Sequence, residues 1–156
     1  MSKLLTVAMP CYNVETYLER GLSSFADPRF SDDVEVLIVN DGSTDSTKEI
    51  AERFVAAYPS IFRLIDKENG GHGSGINAGI AHATGKYFRI VDGDDWVATE
   101  NLVLLLERLR GIDSDIVVDE RREVDMSSME GDVIRFPDYI ETDRELRFED
   151  VCNERD

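Results

Sequence analysis

Apolar side chains fill positions 4–9 almost without a break, in the run LLTVAM, and the set PCYN follows at once. A short apolar run without helical spacing predicts a buried strand, with Pro10 ending it. The spacing then changes. Val14, Tyr17, Leu18, Leu22 and Phe25 recur at helical intervals. They predict an amphipathic helix from Val14 to about Phe25, with Asn13 as its N-cap and Glu15 and Glu19 toward the positive end of its dipole. VEVLIVN, residues 34–40, predicts a second strand, apolar on both faces toward its end as in a covered parallel sheet. After the turn-forming DGSTDST comes a helix over about 44–57, with Ile50, Phe54 and Val55 inward.

FRLID at 62–66 predicts a third strand, leading into the glycine-rich NGGHGSGINAG and a helix through His82. GKYFRIVD predicts a fourth strand. A helix over 99–110 carries Leu102, Leu105, Leu106 and Leu109, and DSDIVVDE at 113–120 predicts a fifth strand. Strands alternating with helices imply an α/β fold, a Rossmann-like, mostly parallel sheet with right-handed crossovers and flanking helices. Ligands gather at the carboxyl ends of such strands. Residues 10–13, 40–42, 67–75 and 92–95 all fall there. Beyond residue 120 the pattern weakens. REVDMSSMEGDVIRF reads as two strands around Glu130-Gly131, and residues 141–156 offer little core. The expected organisation is a core over 1–120 and, over 121–156, the acidic start of a further region cut from something longer.

With 156 residues and 42% apolar content the chain suits one domain with a sizeable core. A net charge of −16 argues against nucleic acid as a partner, because phosphate binding needs basic patches. The charge is uneven: residues 1–110 carry 11 Lys and Arg against 17 Asp and Glu, residues 111–156 carry 6 against 16. Cys11 and Cys152 form no metal or redox motif and fit a reducing compartment. No signal peptide and no membrane-spanning apolar run is present, so a cytoplasmic location is expected. Peripheral contact with the inner membrane face would use regions outside this chain, since the acidic end repels an anionic leaflet.

Charge also marks the candidate chemistry. In FRIVDGDDWV three carboxylates, Asp92, Asp94 and Asp95, crowd the end of an apolar run. A solvated Asp-Gly turn explains them, with Gly93 letting the backbone turn. So does a divalent cation, held by one or two carboxylates with phosphate oxygens and water in the other positions. Asp41 likewise reads either as part of a capping turn or as a carboxylate that accepts from a base N–H or a ribose hydroxyl. Gly73-x-Gly75-x-x-Ala78 copies a dinucleotide fingerprint, but follows the third strand where that fingerprint follows the first. HATGKY lacks the first glycine and the Ser/Thr of a P-loop. The glycine-rich stretch reads better as a loop that admits phosphates near a helix N-terminus. His72 is either a phosphate contact or incidental, and His82 a surface residue.

Together, VAMPCYN, EVLIVNDGSTDST and ENGGHGSGINAGIAHATGKYFRIVDGDDW, in that order over residues 4–110, resemble a family 2 glycosyltransferase of GT-A fold. The resemblance implies an enzyme using a nucleotide-sugar donor, often a UDP-sugar, with Mn2+ or Mg2+. It would transfer a hexose with inversion to a glycan or lipid-linked acceptor; bacterial relatives commonly build surface glycans. Pro10, Cys11, Tyr12 and Glu15 would line the nucleotide pocket, and Asp41 would contact the base. Lys67, Asn69, Gly70 and Gly71 would lie beside the nucleotide. Asp94 would lead the metal site, Asp92 would reach the metal or the ribose, and Asp95 the diphosphate or sugar.

Two departures stand out. Many relatives read Ala-Arg-Asn where this chain has Gly75-Ile76-Asn77, so an arginine facing the phosphates is missing and His72 or a later residue would replace it. The family's catalytic base lies well beyond the acidic triplet. Glu149-Asp150 lacks a context that would assign it, and the base stays unassigned. A non-catalytic nucleotide-binding module is the alternative. A receiver domain would want a lysine at a later strand end, where 113–120 offers acids. A nucleotidyltransferase would want a basic loop where PCYNVET has none.

Overall fold

The computed structural model describes residues 2–125 and 127–134. The chain divides into two compact units, residues 1–112 and 113–156.

The first unit is built on four strands: β1 (Leu5–Cys11), β2 (Val34–Asp41), β3 (Phe62–Lys67) and β4 (Tyr87–Ile90). All pair in parallel, in the order β3-β2-β1-β4. Four helices alternate with and follow them: α1 (Glu15–Ser23), α2 (Thr47–Ala57), α3 (His72–His82) and α4 (Thr99–Gly111), with a single 3-10 turn at Pro28–Phe30. Every residue of β1 and β2 is buried, as the predicted two-sided cover requires. Phe25, Phe30, Leu18, Leu22 and Phe62 are completely buried, and Phe62 meets the edges of Phe54 and Tyr58 at 5.6 and 6.2 Å. Burial of each such side chain contributes on the order of 1.5–3 kcal/mol.

β1 runs through Pro10 instead of stopping at it, with Pro10 in register with Val39. Proline is tolerated because the β1–β4 ladder has ended at Ala8↔Ile90. The Pro10 carbonyl still accepts from Gly93 N at 3.2 Å on that side. Asn13 does not cap α1. It lies in the left-handed region, φ 53°, and Val14 takes the cap position without a side-chain bond.

At the far end of the sheet, buried Glu35 accepts from Thr6 Oγ1 (2.7 Å), Thr84 N (2.6 Å), Thr84 Oγ1 (2.8 Å) and Arg63 (3.2 Å). This network ties the turn before β4 to the starts of β1 and β2. Burial opposes the Glu35 charge, but these donors outweigh it and hold the carboxyl below its ordinary range.

In the second unit, β5 (Arg121–Val124) and β6 (Gly131–Ile134) form an antiparallel hairpin, the two strands expected around Glu130-Gly131. Asp125 Oδ1 accepts from the Ser127 and Ser128 amides in its turn. The fifth strand predicted over 113–120 does not form. Ile116, Val117 and Val118 are 80, 39 and 62% exposed. Only three apolar residues stand there between acidic neighbours, and β-propensity makes a strand only where a neighbouring strand takes up the backbone groups. Cys152 and Glu149-Asp150 lie outside the described residues.

Candidate functional site

The sheet order sets the site. Asp41 and Lys67 close β2 and β3 as register partners, Cys11 closes β1 opposite Asn40, and the acidic turn follows β4. Lys67, Asp41, Cys11 and Asp92 therefore lie in that order along one edge.

Asp41 is buried and fully engaged. Its carboxylate accepts from the Lys67 ammonium, from Gly70 N at 3.0 Å and from Gly71 N at 2.8 Å. Burial alone would raise its pKa, but Lys67 and the two amides outweigh it and hold the carboxyl below its usual value. The bond to Gly71 N also fixes the loop where φ reaches +84°, a conformation that favours glycine. Lys67, Gly70 and Gly71 are thus gathered onto Asp41, and Asn69 stands against Gly42, as a loop held by its own strand ends. A base would reach the Asp41 carboxylate only by exchange with one of those donors.

The loops after β1 and β2 hold each other. Val14 N donates to Thr47 Oγ1 (2.9 Å) and Glu15 N to Asp45 Oδ2 (3.2 Å), so residues at the entry to α2 cap α1. In return Ser46 N donates to Glu15 Oε2 at 2.9 Å and Thr44 N to Asn13 Oδ1 at 2.8 Å. Glu15, expected at the nucleotide, stands with its carboxylate on the start of α2. Residues 44–46 are drawn into this exchange, and α2 starts three residues later than its polar lead-in suggests. Tyr12, between the two loops' anchor points, is 53% exposed.

The acidic turn closes with Asp95 N donating to Asp92 O at 2.9 Å. Gly93 serves contact rather than backbone freedom. A Cβ there would stand 2.9 Å from Cys11 Sγ and 3.0 Å from Val14 Cγ2, and its φ is not positive. From behind, a Cβ on Gly21 would meet Asp95 O at 2.7 Å, and the Arg20 guanidinium lies 3.5 Å over the Trp96 ring. This backing by α1 was not foreseen from the sequence; the Gly21–Gly93 pairing leaves no local signature. Cys11 is buried beneath the turn. Burial, then the charges of Asp92 and Asp94, push its thiol up to about 12.

His72, the first residue of α3, meets the turn directly: its Nε2 lies 2.8 Å from Asp92 Oδ1. Twenty residues of separation hid that contact from the sequence. Gly75 sits where a Cβ would come 3.0 Å from Pro10 Cβ, which places α3 against β1.

Among the described residues no group of three or more His, Cys, Asp or Glu is placed to hold a metal ion by itself. Asp92 and Asp94 fit the other mode, in which Mg2+ or Mn2+ takes one or two carboxylates and completes its shell with phosphate oxygens and water. No helix among the described residues is long and apolar enough to cross a membrane.

The chain resembles proteins of known type. EpsJ of Bacillus subtilis, an uncharacterised glycosyltransferase, is 38% identical over 117 residues, covering 75% of this chain and 33% of EpsJ. The structure of Staphylococcus aureus TarS 1-349 in complex with UDP-GlcNAc superposes with a TM-score of 0.62 at 29% identity, over 69% of this chain and 31% of that TarS 1-349 chain. The mannosyltransferase PcManGT of Pyrobaculum calidifontis, in complex with GDP-Man and Mn2+, gives 0.57 at 29% identity, over 65% and 31%. The parallel sheet with flanking helices is the GT-A fold of these structures. The chain spans 10 to 39% of the length of the curated relatives compared. The family model described as Glycosyl transferase family 2 matches residues 6–151, nearly the whole chain, and together with the sheet-edge site this makes the chain a member of that family.

Proposed function

We propose that this chain is the donor-binding part of an inverting, metal-dependent hexosyltransferase that uses a nucleotide sugar, a UDP-sugar first. The observation that carries the reading is the single row of Lys67, Asp41, Cys11 and Asp92 along one sheet edge, with Asp94 in the adjoining turn. The likeness to proteins holding UDP-GlcNAc or GDP-Man with Mn2+ supports it.

In this reading Pro10, Cys11 and Tyr12 line the nucleotide pocket and Lys67 to Gly71 flank the nucleotide, on a loop that Asp41 holds. Asp94 leads the metal contacts, with Asp92 at the metal or ribose and Asp95 toward the diphosphate or sugar. A divalent cation there would neutralise the charge that develops on the leaving diphosphate. The acceptor, a glycan or lipid-linked sugar of a surface polymer, attacks the anomeric carbon from the opposite side. Its hydroxyl proton goes to a carboxylate outside the residues assigned here.

Calorimetric titration with UDP, with and without Mn2+, tests this. Metal-dependent binding that Asp94→Asn abolishes is the expected result. Metal-independent binding, or none, sinks the metal assignment. Donor hydrolysis assays then separate a catalytic chain from a binding module.

A further inference from the structure

The His72–Asp92 contact has no part in the folding core. Its side chains are 61 and 48% exposed, and an exposed pair of this kind contributes little to stability. Both ends are nonetheless rigidly mounted. The backbone leading into His72 is held at Gly70 and Gly71 by Asp41, on β2. Asp92 is held by the closed turn and by the bond from Gly93 N to Pro10 O. The imidazole thus bridges the two loops that flank the end of β1.

The neighbours of His72 are bare. A Cβ on Gly71 or on Gly73 would meet nothing within 4 Å. Gly73 lies in the first turn of α3, where glycine costs about 0.5–1 kcal/mol relative to alanine, and no packing among the described residues requires it. The imidazole is left as the one side chain over residues 70–73 that reaches the acidic turn.

The proton assignment follows from the partner. An ionised carboxylate only accepts, so Nε2 carries the hydrogen and donates to Oδ1. That leaves Oδ2 without this commitment.

We propose that His72 is a positioning residue for Asp92. It holds one carboxylate oxygen so that the other is presented to a divalent cation arriving with a nucleoside diphosphate. The proposal rests on the donor-site reading above. It gives His72 a task different from direct phosphate contact, and it accounts for a histidine placed between two glycines. Hydrogen-bonding partners of metal-ligating side chains change metal affinity by about 10–100-fold when removed.

The test compares the wild-type chain with His72→Phe, which keeps a ring and loses the donor, and His72→Gln, whose amide N–H reaches the place of Nε2. Free Mn2+ is followed by electron paramagnetic resonance during titration at saturating UDP, and UDP affinity is measured separately without metal. The expected result is a loss of about 10–100-fold in Mn2+ affinity for His72→Phe, recovery of most of it in His72→Gln, and equal metal-free UDP affinity in all three. Unchanged Mn2+ affinity in His72→Phe overturns the proposal, as does an equal loss in both variants. A wild-type chain that takes up no Mn2+ with UDP instead overturns the donor-site reading itself, and this inference with it.

Discussion

Asp41 and Lys67 stand opposite each other as the last residues of adjacent parallel strands, and their charged ends meet across the ladder. The pair is the foundation of the glycine-rich loop, because the same carboxylate also takes the amides of Gly70 and Gly71. Asp41→Asn removes the charge and leaves those donors with a poorer partner. Loss of about 1.5–3 kcal/mol of stability is expected, the value of a hydrogen bond to a charged group. UDP affinity should fall with it, measured by urea unfolding and calorimetry on the same preparation. A variant as stable as wild type would show that the loop does not depend on this clamp.

Acid should weaken the fold for a definite reason. Asp41, Asp45 and Asp66 are held below the ordinary 3.8, and Glu35 below 4.5. A carboxyl with a lowered folded-state pKa stabilises fully above its unfolded value and loses that contribution as pH falls through the folded one. Urea midpoints should therefore hold from pH 7 to about 5 and then decline. Asp41→Asn should decline less steeply, since one of the responsible groups is gone.

Glu35 offers a contrast at the opposite end of the sheet. Glu35→Ala takes the acceptor from the buried Thr6 hydroxyl, at a cost of about 1–3 kcal/mol for a buried group left without a partner, and removes two bonds from the exposed Thr84, whose amide keeps Thr6 Oγ1. Metal-dependent UDP affinity of the folded fraction should be unaltered. An affinity loss in a variant that still folds at the assay temperature would show that the two ends of the sheet are coupled.

Gly93→Ala separates site from fold in the other direction. The new methyl presses on Cys11 and Val14 at 2.9 and 3.0 Å, and overpacking of this kind costs about 1–3 kcal/mol. The turn carrying Asp92, Asp94 and Asp95 has solvent on its outer side, so it should shift and Mn2+-dependent UDP binding should drop more than stability does. Equal metal affinity would mean the turn tolerates displacement.

Cys11 should be chemically silent in the native chain. Its thiol is buried and its pKa stands at about 12, so the reactive thiolate is scarce at pH 8. In a Cys152→Ser background, a thiol reagent should label it only after urea unfolding. Rapid native labelling would contradict the packing of Gly93 over its sulfur.

Much of this was legible in the chain's patterning. β1 and β2 announced themselves as continuous apolar runs, and the alternation with helical spacing implied a parallel sheet and hence the edge on which the site lies. Contacts between segments were not legible. Pro10 reads as a stop, yet sits in a strand because the neighbouring strand ends first. Asp45 accepts from Thr47 N at the start of its own helix, but it also accepts from Glu15 N, and Thr47 from Val14 N, bonds that the local sequence does not announce. Ile116 to Val118 have the composition of a strand, and no strand among the described residues pairs with them. Local composition describes what a segment favours alone; these outcomes were decided by what stands next to it.

The reciprocal capping of α1 and α2 leaves the rim above β1 and β2 without a hinge. Neither helix start can fray without stripping hydrogen bonds from the other, so the amides of residues 14–15 and 44–47 should exchange with solvent as one cooperative unit.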